Sequence, residues 1–453
     1  MKRRGFLEGL AAVIGGLLVK AHRGTDARTH GRTDAQMHGR TGAPTLGSAG
    51  SRGAGSLMIP MDDSQTNHLK AYGIAYHAVQ RGGHTEWLLN YRGGSFLVPD
   101  DAEIRRATTL AGVAVESVSD LQVVAIRGTI EGGNMDSVIL ERAPRVAIYA
   151  PPYAPPWDDA VTMALQYADI PFTRVWDPDV LQGGLAGYDW LHLHHEDFTG
   201  QDSKFYLTYP GASWLEDMVA ADLATARQLR FPNTPALKKA VAAQLRAYVE
   251  NGGFLFAMCT ATETLELALA AHDVDVAAAF ADGTPMDPDA DVKMDWSRAM
   301  ACANAHLEKD PAIPVFSDID GHQVNNPAKR QPLGAFELFN FSAKIDPVFT
   351  MLVQCHRQVI PDFYGVTTSF TRNTLKSADT ILAEEPGAPW VKYIHGDLGK
   401  GTWTYLGGHD PEDPQHQIGA PPTDLSLHPT SPGYRLILNN VLFPAARKRE
   451  LKT

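Results

Sequence analysis

Gly252-Gly253-Phe254-Leu255-Phe256-Ala257-Met258-Cys259-Thr260-Ala261-Thr262-Glu263 is the stretch on which the fold class turns. Two glycines open an unbroken apolar run, too short for a helix and without polar alternation, which is the pattern of a strand buried on both faces. Cys259 ends the run and a helical pattern begins at Thr260, where Thr260-x-x-Glu263 also reads as a capping box. Just upstream, Leu237, Val241, Leu245 and Val249 recur at helical spacing within residues 235–251 and form one apolar face. Helix, buried strand, helix is the repeating unit of a parallel sheet covered on both sides.

Reading outward, Arg145-Val146-Ala147-Ile148-Tyr149-Ala150 is a second such strand. A helix-like stretch at residues 157–168 and strands at 172–176 and 188–194 follow it. Strands at 390–395 and 401–406 and a closing helix at 434–446 come late in the chain. The alternation predicts an α/β domain over residues 144–453 with a doubly wound, mostly parallel sheet. A segment rich in Asp, Pro and Asn, residues 274–341, interrupts it as an insertion. In front lies a small α/β unit, residues 57–143. Its pattern predicts a helix from Gln65, a hairpin of strands 86–91 and 95–99 around Arg92-Gly93-Gly94, a helix at 101–110 and a strand near Val123-Val124-Ala125.

The N-terminus carries an address rather than a fold. Lys2-Arg3-Arg4 precedes an apolar stretch from Leu10 to Val19, the order of a secretory signal, and Arg3-Arg4-Gly5-Phe6-Leu7 resembles the twin-arginine motif. Residues 1–21 are therefore expected to direct export to the periplasm or beyond the cell. Residues 22–56 hold almost no large apolar side chains, so ordering them would not offset its entropic cost, and a disordered linker is expected. Across 453 residues, 44% hydrophobic and 20% charged, the composition is globular, and no later apolar stretch reaches the roughly twenty residues a membrane helix needs. The net charge of −12, with no basic stripe, argues against nucleic acid as a partner, and a small-molecule substrate is expected instead from the reactive residues at the strand ends. Three cysteines cannot all pair within one chain; an oxidising compartment permits a Cys302–Cys355 bridge that leaves Cys259 free.

Ligands of open α/β sheets sit beyond the carboxyl ends of the strands, and here reactive residues gather at those ends. Cys259, on a strand-to-helix turn, suits a nucleophile whose thiolate the helix terminus favours, although a buried core thiol fits the same pattern. In His192-Leu193-His194-His195-Glu196-Asp197, period-two alternation sets His192 and His194 on one face and carries Glu196 and Asp197 into the loop beyond. Imidazoles and carboxylates there are candidate ligands for a divalent metal, with His192, His194 and Glu196 in first place. Gly407-Gly408-His409-Asp410-Pro411-Glu412 follows the strand at 401–406; its glycines allow close backbone approach and His409 is a candidate general base.

Residues 177–189, the helix ending Tyr248-Val249-Glu250-Asn251-Gly252-Gly253, and Leu406-Gly407-Gly408-His409-Asp410-Pro411 resemble the ThuA-like branch of the class I glutamine-amidotransferase-like superfamily. The resemblance covers residues 145–446 apart from the insertion and implies a flavodoxin-like sheet. It casts Cys259 as nucleophile and His409 as base. The family's acid position falls on Pro411, which leaves Asp410 or Glu412 to orient the base, and the elbow glycines are replaced by Ala257 and Ala261. Thr260, His194, His195, Glu196 and Gly408 would then line the substrate pocket. Ile59-Pro60-Met61-Asp62, residues 65–73 and Glu86-Trp87-Leu88-Leu89-Asn90-Tyr91-Arg92-Gly93-Gly94 are similar to bacterial proteins labelled asparagine synthetase B, yet Lys2 stands where such a synthetase has its cysteine, and no Ser-Gly-Gly-x-Asp-Ser loop is present. The expectation is an exported hydrolase acting on a small amide or carbohydrate-related substrate through a Cys/His site. A non-catalytic sugar- or peptide-binding module, and a metal-dependent enzyme built on residues 192–197, are the alternatives.

Overall fold

The computed structural model describes residues 55–415 and 417–447, so the export signal lies outside the described residues and the linker almost wholly so. The first sheet, in the order β4-β1-β3-β2-β5, comprises β1 (Ser56–Ile59), β2 (Thr85–Leu89), β3 (Ser95–Pro99), β4 (Glu116–Val118) and β5 (Asp136–Leu140). β2 and β3 form the expected antiparallel hairpin, with Trp87 opposite Phe96. Helices α1 (His68–Gln80) and α2 (Ala102–Ala111) match the sequence reading, but residues 123–125 lie within a third helix, α3 (Asp120–Gly132), not a strand. A reciprocal capping box between Ser119 and Gln122 starts α3, and only Ile126 and Ile130, four residues apart, are buried. Helix nucleation at that cap prevailed over the β preference of two adjacent valines.

The second sheet is mixed. Its parallel half has the order β7-β6-β8-β9-β15, from β6 (Val146–Tyr149), β7 (Phe172–Val175), β8 (Trp190–Leu193), β9 (Phe254–Met258) and β15 (Gly401–Leu406). The other half is antiparallel: β14 (Trp390–Leu398) pairs with β15, then come β13 (Thr380–Glu384), β10 (Ala335–Leu338) and β11 (Val359–Pro361), while β12 (Phe370–Thr371) pairs with β14. The expectation of a mostly parallel sheet is corrected to that extent. The tight turn between Leu398 and Gly401 joins neighbouring strands directly, and a hairpin that short can only be antiparallel. The segment at 274–341 contributes the short helices α9 (Ala279–Asp282) and α10 (Ala290–Lys293) and then enters the sheet as β10.

Alternate residues of the central strands face two apolar layers. Ile148, Trp190, Phe256 and Leu406 pack with α4 (Ala160–Tyr167) and α12 (Pro432–Leu442), whereas Tyr149, Leu191, Leu255 and Tyr405 pack with α5 (Asp177–Leu181), α7 (Thr234–Glu250) and α8 (Cys259–Ala270). Helices α6 (Ser213–Gln228) and α11 (Pro347–Leu352) lie between β8 and α7 and between β10 and β11 in the chain. The first sheet is not a loose appendage, because α1 packs on α4 and α12. Arg435 of α12, fully buried, donates to Tyr72 Oη at 3.0 Å, to the Met61 carbonyl at 2.7 Å and to the Gly93 carbonyl. Cys259, Cys302 and Cys355 are all free. Among the described residues no helix is long and apolar enough to cross a membrane.

Candidate functional site

After β6 the chain crosses through α4 on one face of the sheet; after β7 it crosses through α5 on the other. The loops leaving β6 and β8, adjacent parallel strands, therefore diverge and open a crevice at their carboxyl ends. A cavity of about 230 Å³ occupies it, walled by Tyr153, Trp157, Trp176, Asp158, His195 and Glu196 among others. A larger groove of about 820 Å³ lies at the opposite, amino ends of the strands. Asp189 on that groove is already paired with Arg142 at 2.8 Å and Arg145 at 3.0 Å, so the crevice is the better candidate.

The histidine run of β8 reaches this cavity through His195, while His192 and His194, and His409 from β15, are fully buried and do not line it. His192 and His194 share a face, as the alternation requires, and both turn toward Asp159, at 3.7 and 3.6 Å. His194 stacks on His195 with ring centroids 4.0 Å apart, and His409, arriving from the end of β15, lies 4.8 Å from His194 and 4.7 Å from His195. Two groups of potential metal ligands result, His194-His195-His409 and Asp159-His192-His194, each with one ligand atom per residue within 4.8 Å of the others. His194 belongs to both, is fully buried, and has no hydrogen-bond partner at either ring nitrogen among the described residues. His195 donates from Nε2 to the Asp158 carbonyl at 2.7 Å, and His409 donates from Nε2 to Asp158 Oδ1 at 2.9 Å. One residue thus orients two imidazoles. His192 donates from Nδ1 to the Phe256 carbonyl at 3.0 Å, and burial lowers its pKa to about 4. Burial raises Asp159, but the neighbouring His192 and His194 outweigh it and hold the carboxyl well below its usual range.

Glu196 belongs to neither group. Its Oε2 accepts the His194 backbone N–H at 2.8 Å, and burial lifts its pKa to about 8. Asp197 accepts from Thr199, Gln201 and Ser203 backbone N–H groups and so builds the loop that follows. In that loop Asp202, Ser203 and Lys204 all take left-handed φ values, 50°, 54° and 56°, a strained run at the cavity rim. Deeper in, Lys238 bridges Asp177 at 3.0 Å and Asp222 at 3.5 Å, and Tyr149 donates to Asp177.

Cys259 occupies the expected strand-to-helix turn with φ of 50°, left-handed for a side chain that ordinarily avoids it. Its sulfur is fully buried and accepts the Val366 backbone N–H at 3.2 Å, and burial raises the thiol pKa. Helix α8 begins at Cys259, with Met258 as its N-cap, so Thr260 lies inside the first turn and no Thr260–Glu263 capping box forms. Glu263 instead accepts from Ser317 Oγ at 2.5 Å and Thr367 Oγ1 at 2.9 Å. Gly408, with φ of 89°, donates to the Thr367 carbonyl at 2.8 Å, and Gly365 packs so closely on it that an added Cβ would stand 2.8 Å from Gly408 backbone atoms. The segment 362–369 therefore covers both Cys259 and the approach to His409.

Asp410 is occupied elsewhere, accepting from Glu412 N at 2.9 Å and Thr423 Oγ1 at 2.7 Å, while Glu412 pairs with His428 at 3.0 Å. The carboxylate on His409 is Asp158. Neither Asp158 nor Asp159 was singled out from sequence, although two adjacent carboxylates in the loop beyond a buried strand were a legible signal. Asp159 also caps α4, accepting from Thr162 N at 2.6 Å, a structural role that hides its second one.

No protein-family model matches the chain, and no curated protein matches it. Among solved structures, cytoplasmic protein STM3548 from Salmonella typhimurium is similar at 11% identity and a TM-score of 0.34, over 67% of this chain and 100% of that one. Cytoplasmic protein STM1381 from Salmonella typhimurium LT2 is similar at 13% identity and 0.33, over 67% and 99%. The GH42 β-galactosidase Gan42B aligns at 14% identity and 0.26, over 59% of this chain and 28% of that one. Likenesses this remote assign neither a family nor an activity.

Proposed function

We propose that this chain is a metal-dependent hydrolase that takes a small carbohydrate-related substrate into the crevice between β6 and β8. The convergence of His194, His195 and His409 beside that crevice, onto which His195 and Asp158 open, with two of the imidazoles held by Asp158, carries the reading. Oxygen atoms that fix the far nitrogen of an imidazole are the usual support for metal-ligating histidines. A divalent ion there would supply a Lewis acid able to bring the pKa of a water near neutrality. His194, with both ring nitrogens buried and lacking hydrogen bonds among the described residues, fits that role better than a structural one. Tyr153, Trp157 and Trp176 offer apolar faces, and Asp158, Asp202 and Asp222 offer acceptors for hydroxyl groups, on the wall of one small cavity. About 230 Å³ is below the roughly 300–1,000 Å³ of pockets for larger ligands and suits a single sugar-sized unit.

The strand order β7-β6-β8-β9-β15 with helices on both faces supports a flavodoxin-like, doubly wound reading of the parallel half. The twin-arginine-like N-terminus supports action outside the cytoplasm. A second reading keeps Cys259 as nucleophile and His409 as base, acting on a small amide; the left-handed backbone of Cys259 favours it. Metal analysis and turnover of a glycoside and amide panel separate the two. The metal reading expects the crevice ion, one equivalent per chain, and turnover to be lost together in His194→Ala and both to survive in Cys259→Ala. Turnover by ion-free protein that is abolished in Cys259→Ala would overturn it.

A further inference from the structure

A separate cluster stands on the antiparallel half of the sheet. His322 is fully buried, and its Nε2 lies 3.4 Å from Glu385 Oε2 and 3.9 Å from Asp362 Oδ2. Among the described residues neither His322 Nε2 nor Glu385 Oε2 has a hydrogen-bond partner, although both are shielded from solvent. Two such atoms facing each other unsatisfied are costly unless something lies between them. The separations also have a meaning. A shared proton would draw nitrogen and oxygen to about 2.7–3.2 Å, whereas two ligands about 2.1 Å from one ion at a tetrahedral angle stand about 3.4 Å apart.

The surroundings hold the ring in a ligand's orientation. Ser369 Oγ lies 2.7 Å from His322 Nδ1, so a proton on Nδ1 donates to that hydroxyl and leaves the Nε2 lone pair facing the carboxylates. Trp390 packs against the imidazole with centroids 4.6 Å apart, an approach that Gly321 permits, since an added Cβ there would meet the indole at 2.2 Å. Lys392 is paired to the other oxygen of Asp362, Oδ1, and donates to the Phe363 and Thr368 carbonyls, each at 2.9 Å. Asp320 is turned away and accepts backbone N–H groups of His322, Gln323 and Thr368.

We propose that His322, Asp362 and Glu385 form a structural site for a divalent transition ion, zinc first, that clamps the two ends of the segment covering Cys259 and Gly408. Asp362 begins that segment and Ser369, behind His322, ends it. Glu385 ties both to the turn between β13 and β14. One nitrogen and two carboxylate oxygens suit zinc, with a water or further oxygen completing the sphere. This site is independent of the crevice and its histidines.

Equilibrium dialysis with Zn²⁺ of the full chain, of His194→Ala, and of His194→Ala combined with either His322→Ala or Glu385→Gln tests the proposal. Glu385→Gln nearly preserves shape on a partly exposed side chain and so guards against misfolding by the histidine variant. The result expected is one zinc per chain remaining in His194→Ala and at least tenfold weaker binding when either second substitution is added. Chelation should also raise the labelling rate of Cys259 by a thiol reagent, read by peptide mapping. Zinc binding in His194→Ala that ignores both second substitutions would overturn the site, as would its complete loss there. A wild-type chain binding a single zinc that depends on His322 and not on His194 would uphold this site and overturn the crevice reading instead.

Discussion

Cys259 and Glu263, one helical turn apart on α8, show how burial sets what a residue can do. The thiol sits at the turn a nucleophile would need, yet it is enclosed, its pKa is raised, and a backbone N–H already occupies its sulfur. In the native protein at neutral pH, Cys259 should react with a thiol reagent at least a hundredfold more slowly than in the unfolded chain, a ratio that stopped-flow labelling with peptide mapping measures. Glu263 carries a pH signature. Burial lifts its pKa from 4.5 to about 7, with the Ser317 and Thr367 hydroxyls and Lys204 opposing. Between those values the folded state keeps a proton that the unfolded chain has released. The contribution of this group to stability is therefore full below pH 4.5 and falls as pH rises toward 7. Glu263→Gln should flatten the decline, seen as a smaller drop in urea midpoint between pH 5 and 7.5. Residue identity and strand-end position were legible in sequence for Cys259, His194, His195 and His409; their exposure and partners were not, because these depend on segment 362–369 and on Asp158.

Among elements, the glycine contact between Gly365 and Gly408 decides how closely segment 362–369 approaches the end of β15. Gly365→Ala would drive a methyl group into Gly408 backbone, which cannot give way as a side-chain tip can. A loss of about 1–3 kcal/mol is expected, measured by chemical denaturation, along with faster labelling of Cys259. Helix α3 and the antiparallel half mark where element reading failed. Two valines point to a strand, but a cap four residues upstream and burial at Ile126 and Ile130 are properties of the helix as a whole. Strands such as β11 and β12, three and two residues long, carry no periodicity to read and form only because a partner strand is already in place.

For the whole molecule, Arg435 is the test of whether the two sheets fold together. Its guanidinium joins α12 to the Met61 and Gly93 carbonyls and to Tyr72 of α1, and lysine cannot reproduce the planar fork. Arg435→Lys should cost roughly 2 kcal/mol or more by leaving buried acceptors unmatched. Residues 56–140 should still unfold in a single transition with the remainder; two separated transitions, by circular dichroism and tryptophan fluorescence, would refute the coupling. From sequence alone came the α/β class, the two central strands, the helix that precedes β9, the hairpin of the first sheet and the histidine run at a strand end. Hydrophobic periodicity and turn chemistry act over a few residues, and that is the range over which these features are specified. Tertiary structure alone decided that the large sheet is half antiparallel, that Asp158 rather than Asp410 or Glu412 meets His409, that Cys259 is closed off, and that His322, Asp362 and Glu385 come together. Each joins residues distant in the chain, and their meeting is set by which strands pair and which loops diverge.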